Sequence, residues 1–186
     1  MTRLLPLVFL LVSLAAGLVS CEDDDDTAAA EGVIQLDGPN QISPFLEAGV
    51  HRFAVRFDEA TLGAYAGGNL RAARIFIGVP PDYMRVSVHA GGTTAPGLEQ
   101  TALEVTGFAD QRGFVDYRLP SPVPIVGDEA LWIVAEVDLP ATQQSIGCDA
   151  GPAVPGGDWL WSGDEYLTFP ERTGESVNWN IRGVID

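Results

Sequence analysis

Apolar and polar residues alternate with a period of two along several short segments of this chain. The alternation is clearest in residues 52–57, in 82–89 and in part of 131–137. Because successive side chains of a β-strand point to opposite faces, this pattern predicts strands that bury one face. Six further segments have strand character: 70–79, 101–105, 114–119, 159–161, 165–169 and 177–185. The pattern therefore predicts an all-β chain with many short strands.

Clusters of glycine, proline and aspartate separate these segments and predict turns. They lie at residues 79–82, 91–92, 121–124 and 154–157. One helical turn is predicted at residues 58–65, where Asp58 can cap a helix that turns Leu62 and Tyr65 towards the sheet. Strands of this length and spacing are typical of an antiparallel β-sandwich, here jelly-roll-like with one short helix.

The N-terminus begins with a different pattern, an apolar run from Leu4 to Val19 that follows Arg3. The run is too short to span a bilayer comfortably, and it predicts a signal peptide over residues 1–20. It ends in Leu-Val-Ser-Cys, which resembles the lipobox of bacterial lipoproteins. The resemblance implies a lipid on Cys21 and a membrane partner held through that lipid. The alternative is an ordinary signal peptide followed by an incidental cysteine.

A run of five carboxylates follows Cys21 directly, at residues 22–26. Adjacent carboxylates repel one another and have nothing apolar to bury, so residues 21–32 are predicted to be a solvated tether. The run resembles the acidic stretch of surface-exported lipoproteins of some Gram-negative bacteria. We therefore expect a cell-envelope protein on the outer membrane, facing the cell surface, with one domain over residues 33–186.

The chain is strongly acidic, which excludes some classes of partner. It has 26 Asp and Glu residues against 10 arginines, no lysine, and a formal net charge of −16. A surface of this charge repels phosphate backbones and anionic lipid headgroups. Nucleic acid is therefore excluded as a partner.

Four stretches of the domain carry a resemblance to a known family. They are Phe-Ala-Val-Arg-Phe at 53–57, residues 70–78, Gly-Cys-Asp-Ala-Gly-Pro at 147–152 and Asn-Trp-Asn-Ile at 178–181. The chain resembles β-sandwich modules of Gram-negative secreted proteins, akin to the jelly-roll cleaved-adhesin domains. The resemblance implies a module that accompanies enzymes without itself being one, so no peptidase activity follows from it.

Catalytic and zinc chemistry find little support in the residue pattern. His51 and His89 are the two histidines, and neither belongs to a set of three or four ligands in closed spacing. Ser145 and Ser162 have no obvious histidine partner in the sequence. Cys148 has no cationic neighbour and is predicted to be a buried small hydrophobe. We therefore expect a chain that is not an enzyme.

Tryptophans supply one candidate ligand-binding site. Trp159 and Trp161 stand two residues apart, so in a strand both rings lie on the same face. If exposed, the two rings would form a platform for sugar rings. If buried, they would belong to the core, which is the favoured interpretation because large aromatic side chains dominate core packing. Trp132 and Trp179 are both predicted to be core residues.

The long loop at residues 139–157 supplies a second candidate site. Asp149, together with Asp158 and backbone carbonyls, could hold a structural calcium ion, the one cofactor that the sequence suggests. In the alternative, the Asp149 carboxylate caps backbone amides of a turn. In either case we expect residues 147–157 to be ordered and to lie against the ends of the final strands, because prolines stiffen the path between glycines.

These features predict a lipid-anchored cell-surface binding or adhesion module that is non-catalytic, with a glycan or a protein as its ligand. One alternative is a carbohydrate-active or protease-accessory enzyme component. Another is a structural subunit of a surface assembly that pairs through exposed strand edges.

Overall fold

The computed structural model describes residues 32–105, 107 and 111–186, and these form two antiparallel sheets. The strands are β1 (Val33–Ile34), β2 (Gly49–Phe57), β3 (Asn69–Ile77), β4 (Tyr83–Ala90), β5 (Leu98–Val105), β6 (Gly113–Pro124), β7 (Leu131–Leu139), β8 (Trp159–Trp161), β9 (Tyr166–Thr168) and β10 (Ile181–Ile185). One sheet has the order β1-β10-β3-β6, and the other has the order β5-β4-β7-β2-β8-β9. The predicted antiparallel β-sandwich is confirmed.

Alternation along each strand explains why the two sheets stack. In β2, Phe53, Val55 and Phe57 are buried, whereas Arg52 before Phe53 and Arg56 before Phe57 are partly exposed. Apolar residues of the other long strands complete one shared core between the sheets, which includes the fully buried Trp179. Burial of apolar surface in this core is the main force that holds the sandwich together.

The helical turn predicted after β2 is present as α1 (Glu59–Leu62), which continues into a 3₁₀ turn over Gly63–Tyr65. The Asp58 carboxylate accepts a hydrogen bond from the backbone N–H of Thr61 at 2.8 Å. This bond caps the helix and lowers the pKa of Asp58. Leu62 is fully buried, so the turn closes one end of the core.

A second short helix, α2 (Phe169–Thr173), lies where the sequence predicts only the end of a strand. Thr168 and Glu171 form a capping box, in which each side chain bonds the other residue's backbone, and Pro170 stands in the first turn. The Thr-Phe-Pro-Glu run at residues 168–171 is a sequence signal for the start of this helix. Strand β9 is shortened accordingly to Tyr166–Thr168.

The turn predicted at residues 121–124 is wrong, because β6 continues through this segment to Pro124. Pro120, Pro122 and Pro124 are all exposed, and β6 is an edge strand of its sheet. A proline in an edge strand can direct its missing N–H away from the neighbouring strand, so the ladder to β3 survives.

The tryptophans divide between the two faces of the six-stranded sheet. Trp179 is fully buried in the main core, as predicted. Trp132 is also fully buried, but it belongs to a separate cluster with Ala54 and Val134 on the outer face. Trp159 and Trp161 are not part of the main core: Leu160 between them enters it, and both residues are partly exposed on the outer face. Trp159 packs there against the Trp132 cluster, so it is partly buried as the core interpretation expected.

A buried ion pair fastens the N-terminal segment to the last strand. Arg182 of β10 donates from Nε to Asp37 at 3.0 Å, and both side chains are almost completely buried. The Asn180 amide donates a further hydrogen bond to the same carboxylate. Burial raises the pKa of Asp37, although the bonds from Asn180 and Arg182 act in the opposite direction.

The predicted signal peptide, the lipidation site Cys21 and the acidic tether lie outside the described residues. In the part of the chain that is described, no helix is long and apolar enough to cross a membrane.

Candidate functional site

The outer face of the six-stranded sheet carries an unusual concentration of aromatic and charged side chains. Trp159 and Trp161 reach this face from β8, and Tyr166 reaches it from β9, directly opposite Trp161. Arg52 of β2 and Glu136 of β7 stand beside them in register. The face is therefore built by strict alternation on neighbouring strands, and its side chains have fixed relative positions.

The loop at residues 91–97 folds over this face and turns it into a groove. The Gly92 carbonyl accepts hydrogen bonds from Trp132 Nε1 and from Arg56 Nε, each at 3.2 Å. Gly92 has a φ of +87°, and a Cβ atom on it would lie 2.0 Å from the carbonyl oxygen of Ala95. Only glycine fits this tight turn, so the shape of the loop is encoded at that position.

One end of the groove is aromatic. A depression of about 520 Å³ there is lined by Trp159, Trp161, Tyr166 and the 94–95 edge of the loop. Trp132 supports the platform from beneath, with its ring centroid 5.4 Å from that of Trp159 and 6.3 Å from that of Tyr166. The rim carries three carboxylates: Asp164, Glu165 and Glu171.

The other end of the groove is polar, and ion pairs neutralise its charges. A depression of about 310 Å³ shares Ala95 and Tyr166 with the aromatic end. Arg52 is paired with Glu136, and Arg85 donates to both oxygens of Glu99 at 2.7 and 2.9 Å. Each pair presents fixed donors and acceptors without a net charge.

Ser87 and His89 form the floor between these ion pairs. His89 Nδ1 is 3.2 Å from the Gly97 carbonyl, and its Nε2 is 2.9 Å from the Ser87 hydroxyl. A carbonyl only accepts, so Nδ1 carries the proton and Nε2 accepts from the hydroxyl. Burial lowers the pKa of His89, which favours this neutral ring. Ser87 is only 3% exposed.

Tyr166 and Arg85 keep one protonation state around neutral pH. Burial raises the pKa of Tyr166 to about 12, so its hydroxyl remains a neutral donor and acceptor. The hydrogen bond from Arg85 to Glu99 raises the pKa of the Arg85 guanidinium further above its ordinary value. Tyr166 and Arg85 therefore keep the same hydrogen-bonding roles over the physiological range.

The Asp149 carboxylate in the long loop caps backbone amides, which is one of the two alternatives that the sequence suggests. The carboxylate accepts hydrogen bonds from the backbone N–H groups of Gly38, Gly151 and Asn178, each at 2.8 Å, and from the Asn178 side-chain amide. Both oxygens thus face N–H donors, which a cation would have to displace. The interpretation of Asp149 and Asp158 as a calcium site gains no support from this geometry. No group of three or more potential metal ligands occurs among the described residues.

The segment at 147–157 is ordered and lies against the final strands, in agreement with the sequence prediction. Cys148 forms isolated bridges with Ile42 on one side and with Trp179 on the other. Its thiol is fully buried and donates to the Ile42 carbonyl at 2.7 Å. Burial, with a smaller contribution from Asp149, raises the pKa of the Cys148 thiol to about 12, so it is an inert packing residue.

Asp158 is buried near the start of α2, where its backbone carbonyl accepts a hydrogen bond from the N–H of Phe169 at 2.9 Å. Only 2% of the residue is exposed, and its Oδ2 has no hydrogen-bond partner within the described ranges. Burial raises its pKa to about 6, with a smaller contribution from the nearby charge of Glu171. The raised pKa predicts that the charge state of this carboxyl affects the stability of the fold near pH 6.

Sequence reasoning missed most of the groove. Trp159 and Trp161 were singled out, but Arg52, Arg85 and the 91–97 loop were not. The two adjacent glycines at 91–92 were a signal for a sharp turn, but no local pattern shows that the turn folds back over Trp132. The structure also places Ser162 within hydrogen-bond distance of His51, a contact that the sequence does not predict.

Fold and groove together define an all-β sandwich with an open, aromatic-lined face. The same fold occurs in a structure of the clostridial cysteine protease Cwp84 after propeptide cleavage, with a TM-score of 0.62 and 11% identity. The match covers 83% of this chain and 39% of that chain. The chain therefore spans about two fifths of that protein, and at this identity the likeness shows the fold alone.

A second solved structure holds the cysteine protease and lectin-like domains of Cwp84, a surface layer associated protein of Clostridium difficile. It matches 75% of this chain and 33% of that chain, with a TM-score of 0.49 and 10% identity. Neither a protein-family model nor a curated protein sequence matches the chain.

Proposed function

We propose that this chain is a lipid-anchored binding module of the cell surface that holds carbohydrate in the groove of its six-stranded sheet. The observation that carries the proposal is the pair Trp159 and Trp161 on the outer face, continued by Tyr166. Partly exposed aromatic rings, held side by side on neighbouring strands, are a surface on which the apolar faces of sugar rings can stack.

The polar end of the groove suits the hydroxyl groups of the same ligand. Sugar hydroxyls donate and accept together, and the pairs Arg52–Glu136 and Arg85–Glu99 present donors beside acceptors. Because each arginine is already paired, the polar end favours neutral sugars over anionic ones. A site with an aromatic platform and a few convergent polar groups is typical of small-ligand recognition.

The location on the cell surface is part of the proposal and rests on the N-terminal sequence. A charged residue, an apolar run and a small residue before Cys21 occur in the order of a lipoprotein signal, followed by the acidic tether. Two or three acyl chains on Cys21 would anchor the domain stably. The domain that carries the groove would then be held at the membrane surface.

A glycan array probed with the full chain tests the proposal. We expect binding to neutral oligosaccharides, and titration followed by tryptophan fluorescence gives the affinity. Trp161→Ala should weaken that affinity at least tenfold, which corresponds to about 1.4 kcal/mol.

The matched control is Phe114→Ala, which removes a partly exposed aromatic ring from the other sheet. This variant should bind as the wild type does. The proposal fails if no glycan binds at millimolar concentration, or if Trp161→Ala and Tyr166→Ala both leave the affinity unchanged.

A further inference from the structure

Ser162 and His51 lie together at one end of the sandwich, away from the groove. Ser162 directly follows β8, and β8 pairs with β2 so that Arg52 lies opposite Trp161. His51 and Ser162 are therefore the next facing residues, on the other face of the sheet. The Ser162 hydroxyl is 3.0 Å from Nδ1 of His51. A serine and a histidine separated by 111 residues in sequence are thus within hydrogen-bond distance.

The polarity of this hydrogen bond is set by a third group. His51 Nε2 lies 2.9 Å from the backbone carbonyl oxygen of Glu47. A carbonyl accepts only, so Nε2 carries the proton in the neutral ring, and Nδ1 is left with its lone pair. The Ser162 hydroxyl therefore donates to Nδ1. This is the arrangement of a nucleophile, a base and a group that orients the base.

His51 is held firmly, whereas Ser162 is accessible. Only 6% of His51 is exposed, and its ring is fixed by hydrogen bonds at both nitrogens. Ser162 is partly exposed and is followed by Gly163, where a Cβ atom would meet no heavy atom within 4 Å. A ligand can thus approach Ser162, in contrast to Ser87, which is buried at the floor of the groove.

A depression of about 410 Å³ opens beside the pair. His51 and Ser162 line it together with Phe45 and Leu46 of the segment before β2 and with Val50 at the start of β2. Phe45 and Val50 are 70% and 43% exposed, so these two side chains are free to contact a ligand, whereas Leu46 packs against the core. The size of the depression fits a small ester with an apolar acyl group.

We propose that Ser162 and His51 form a hydrolytic dyad that cleaves small carboxylic esters, with the acyl group against Phe45 and Val50. This activity is independent of carbohydrate binding in the groove. Ser162 is the nucleophile, His51 is the general base and then the general acid, and the Glu47 carbonyl positions the imidazole. The N–H of Gly163 follows the nucleophile and is the assigned donor to the oxyanion.

The reaction consumes one water. Ser162 Oγ bonds to the ester carbonyl carbon while its proton passes to His51 Nδ1. The tetrahedral intermediate collapses, the bond to the alkoxy oxygen breaks, and the leaving alcohol takes the proton from Nδ1. Water, activated by the same nitrogen, then attacks the acyl-serine, which releases the carboxylic acid and restores the hydroxyl.

Labelling of the full chain with a fluorophosphonate probe tests the dyad without any substitution. In this reaction Ser162 Oγ bonds to phosphorus, fluoride leaves and the serine proton passes to His51. We expect peptide mass spectrometry to find the phosphonate on Ser162 of the native protein. The urea-denatured protein should be labelled at least tenfold more slowly. Absence of the label from native Ser162, or equal labelling after denaturation, overturns the proposal.

Variants then assign the roles of the two residues. His51→Gln should slow the labelling of Ser162 at least tenfold, and Ser162→Ala should abolish turnover of p-nitrophenyl acetate and butyrate. The matched control is Ser121→Ala, an exposed serine of the other sheet, which should keep wild-type rates. Circular dichroism verifies that each variant is folded. Ester turnover that persists in Ser162→Ala would show that Ser162 is not the nucleophile.

Discussion

Arg52 and Trp161 are direct cross-strand partners, and the guanidinium carbon of Arg52 lies 4.3 Å from the centroid of the Trp161 ring. The same guanidinium is paired with Glu136, so it is held from the side opposite to the ring. A cation over an aromatic face is attracted by the ring quadrupole. The contact therefore fixes one ring of the aromatic platform before any ligand arrives.

Arg52→Ala should loosen this ring. We expect acrylamide to quench the tryptophan fluorescence of the variant more strongly than that of the wild type. Glycan affinity should fall two- to fivefold, in line with the roughly 0.5–1 kcal/mol of an exposed cation–π contact. Arg118→Ala, at an exposed position of the other sheet, is the control. Unchanged quenching in Arg52→Ala would show that the contact does not order the ring.

Asp149→Ala should open the segment at 147–157. The substitution leaves the buried N–H of Asn178 and the partly buried N–H of Gly151 without an acceptor, so we expect a loss of about 1–3 kcal/mol in the free energy of unfolding. Cys148 should then react with iodoacetamide much faster, measured on the Cys148 peptide by mass spectrometry. Rapid labelling of Cys148 in the native wild type would contradict the observed packing.

Two controls separate the amide cap from a calcium site in that experiment. Glu175→Ala removes an exposed carboxylate of the neighbouring segment and should leave Cys148 protected. EDTA added to the wild type should also leave Cys148 protected, because Asp149 is satisfied by N–H donors. If EDTA exposes Cys148 as the substitution does, a bound cation holds the segment.

Asp158 should make stability fall as the pH rises. Its pKa is about 6 in the folded chain against an ordinary value of 3.8, so between these values the folded state holds a proton that the unfolded state releases. The stabilisation is complete below the lower value and is lost as the pH rises through 6. This pH-dependent contribution to the free energy of unfolding is roughly 1–3 kcal/mol.

Asp158→Asn should therefore be more stable than the wild type at pH 8, with a weaker pH dependence between pH 4 and 7. Urea unfolding at pH 5 and pH 8, followed by tryptophan fluorescence, measures both effects. Asp128→Asn, at an exposed loop position, should reproduce the wild-type profile. A variant that is less stable than the wild type at pH 8 would mean that the Asp158 carboxylate makes a favourable interaction in its charged form.

Cys21→Ser should prevent anchoring. Without a thiol to carry the lipid, the chain should remain an uncleaved precursor or become misplaced soluble material. Cell fractionation and incorporation of labelled palmitate measure the outcome. Cys148→Ala, which changes the other cysteine, should still fractionate with membranes. A mature-sized Cys21→Ser protein that remains in the membrane fraction would end the lipoprotein proposal.

The sequence predicts the sandwich well because period-two alternation is a local property. The strands around Phe53 and Ile133 follow directly from it. The cap at Asp58 follows from another local property, the preference for aspartate at the start of a helix. Alternation does not tell which face meets the other sheet when both faces carry large apolar side chains. Trp132 and Ile133 are both fully buried, and only tertiary structure shows that the loop at 91–97 covers the former.

The candidate sites depend on contacts between distant segments, which local patterns do not contain. Ser162 meets His51 only because β8 pairs with β2, and Asp149 meets Gly38 across 111 residues. Both interpretations of Asp149 were chemically reasonable from sequence. The folded structure favours the amide cap, because it brings the N–H groups of Gly38, Gly151 and Asn178 to the Asp149 carboxylate.

The buried ion pair between Asp37 and Arg182 would bear load if the chain is anchored through its N-terminus as proposed. Strand β1 pairs with β10 over only Val33 and Ile34, so a pull applied at the N-terminus meets a short ladder first. Behind it lies the ion pair, with both charges shielded from water. Rupture would expose an unpaired charge to an apolar interior, which is costly. If the chain is anchored through its N-terminus as proposed, this ion pair would resist a pull on the N-terminal segment after the short β1–β10 ladder has separated.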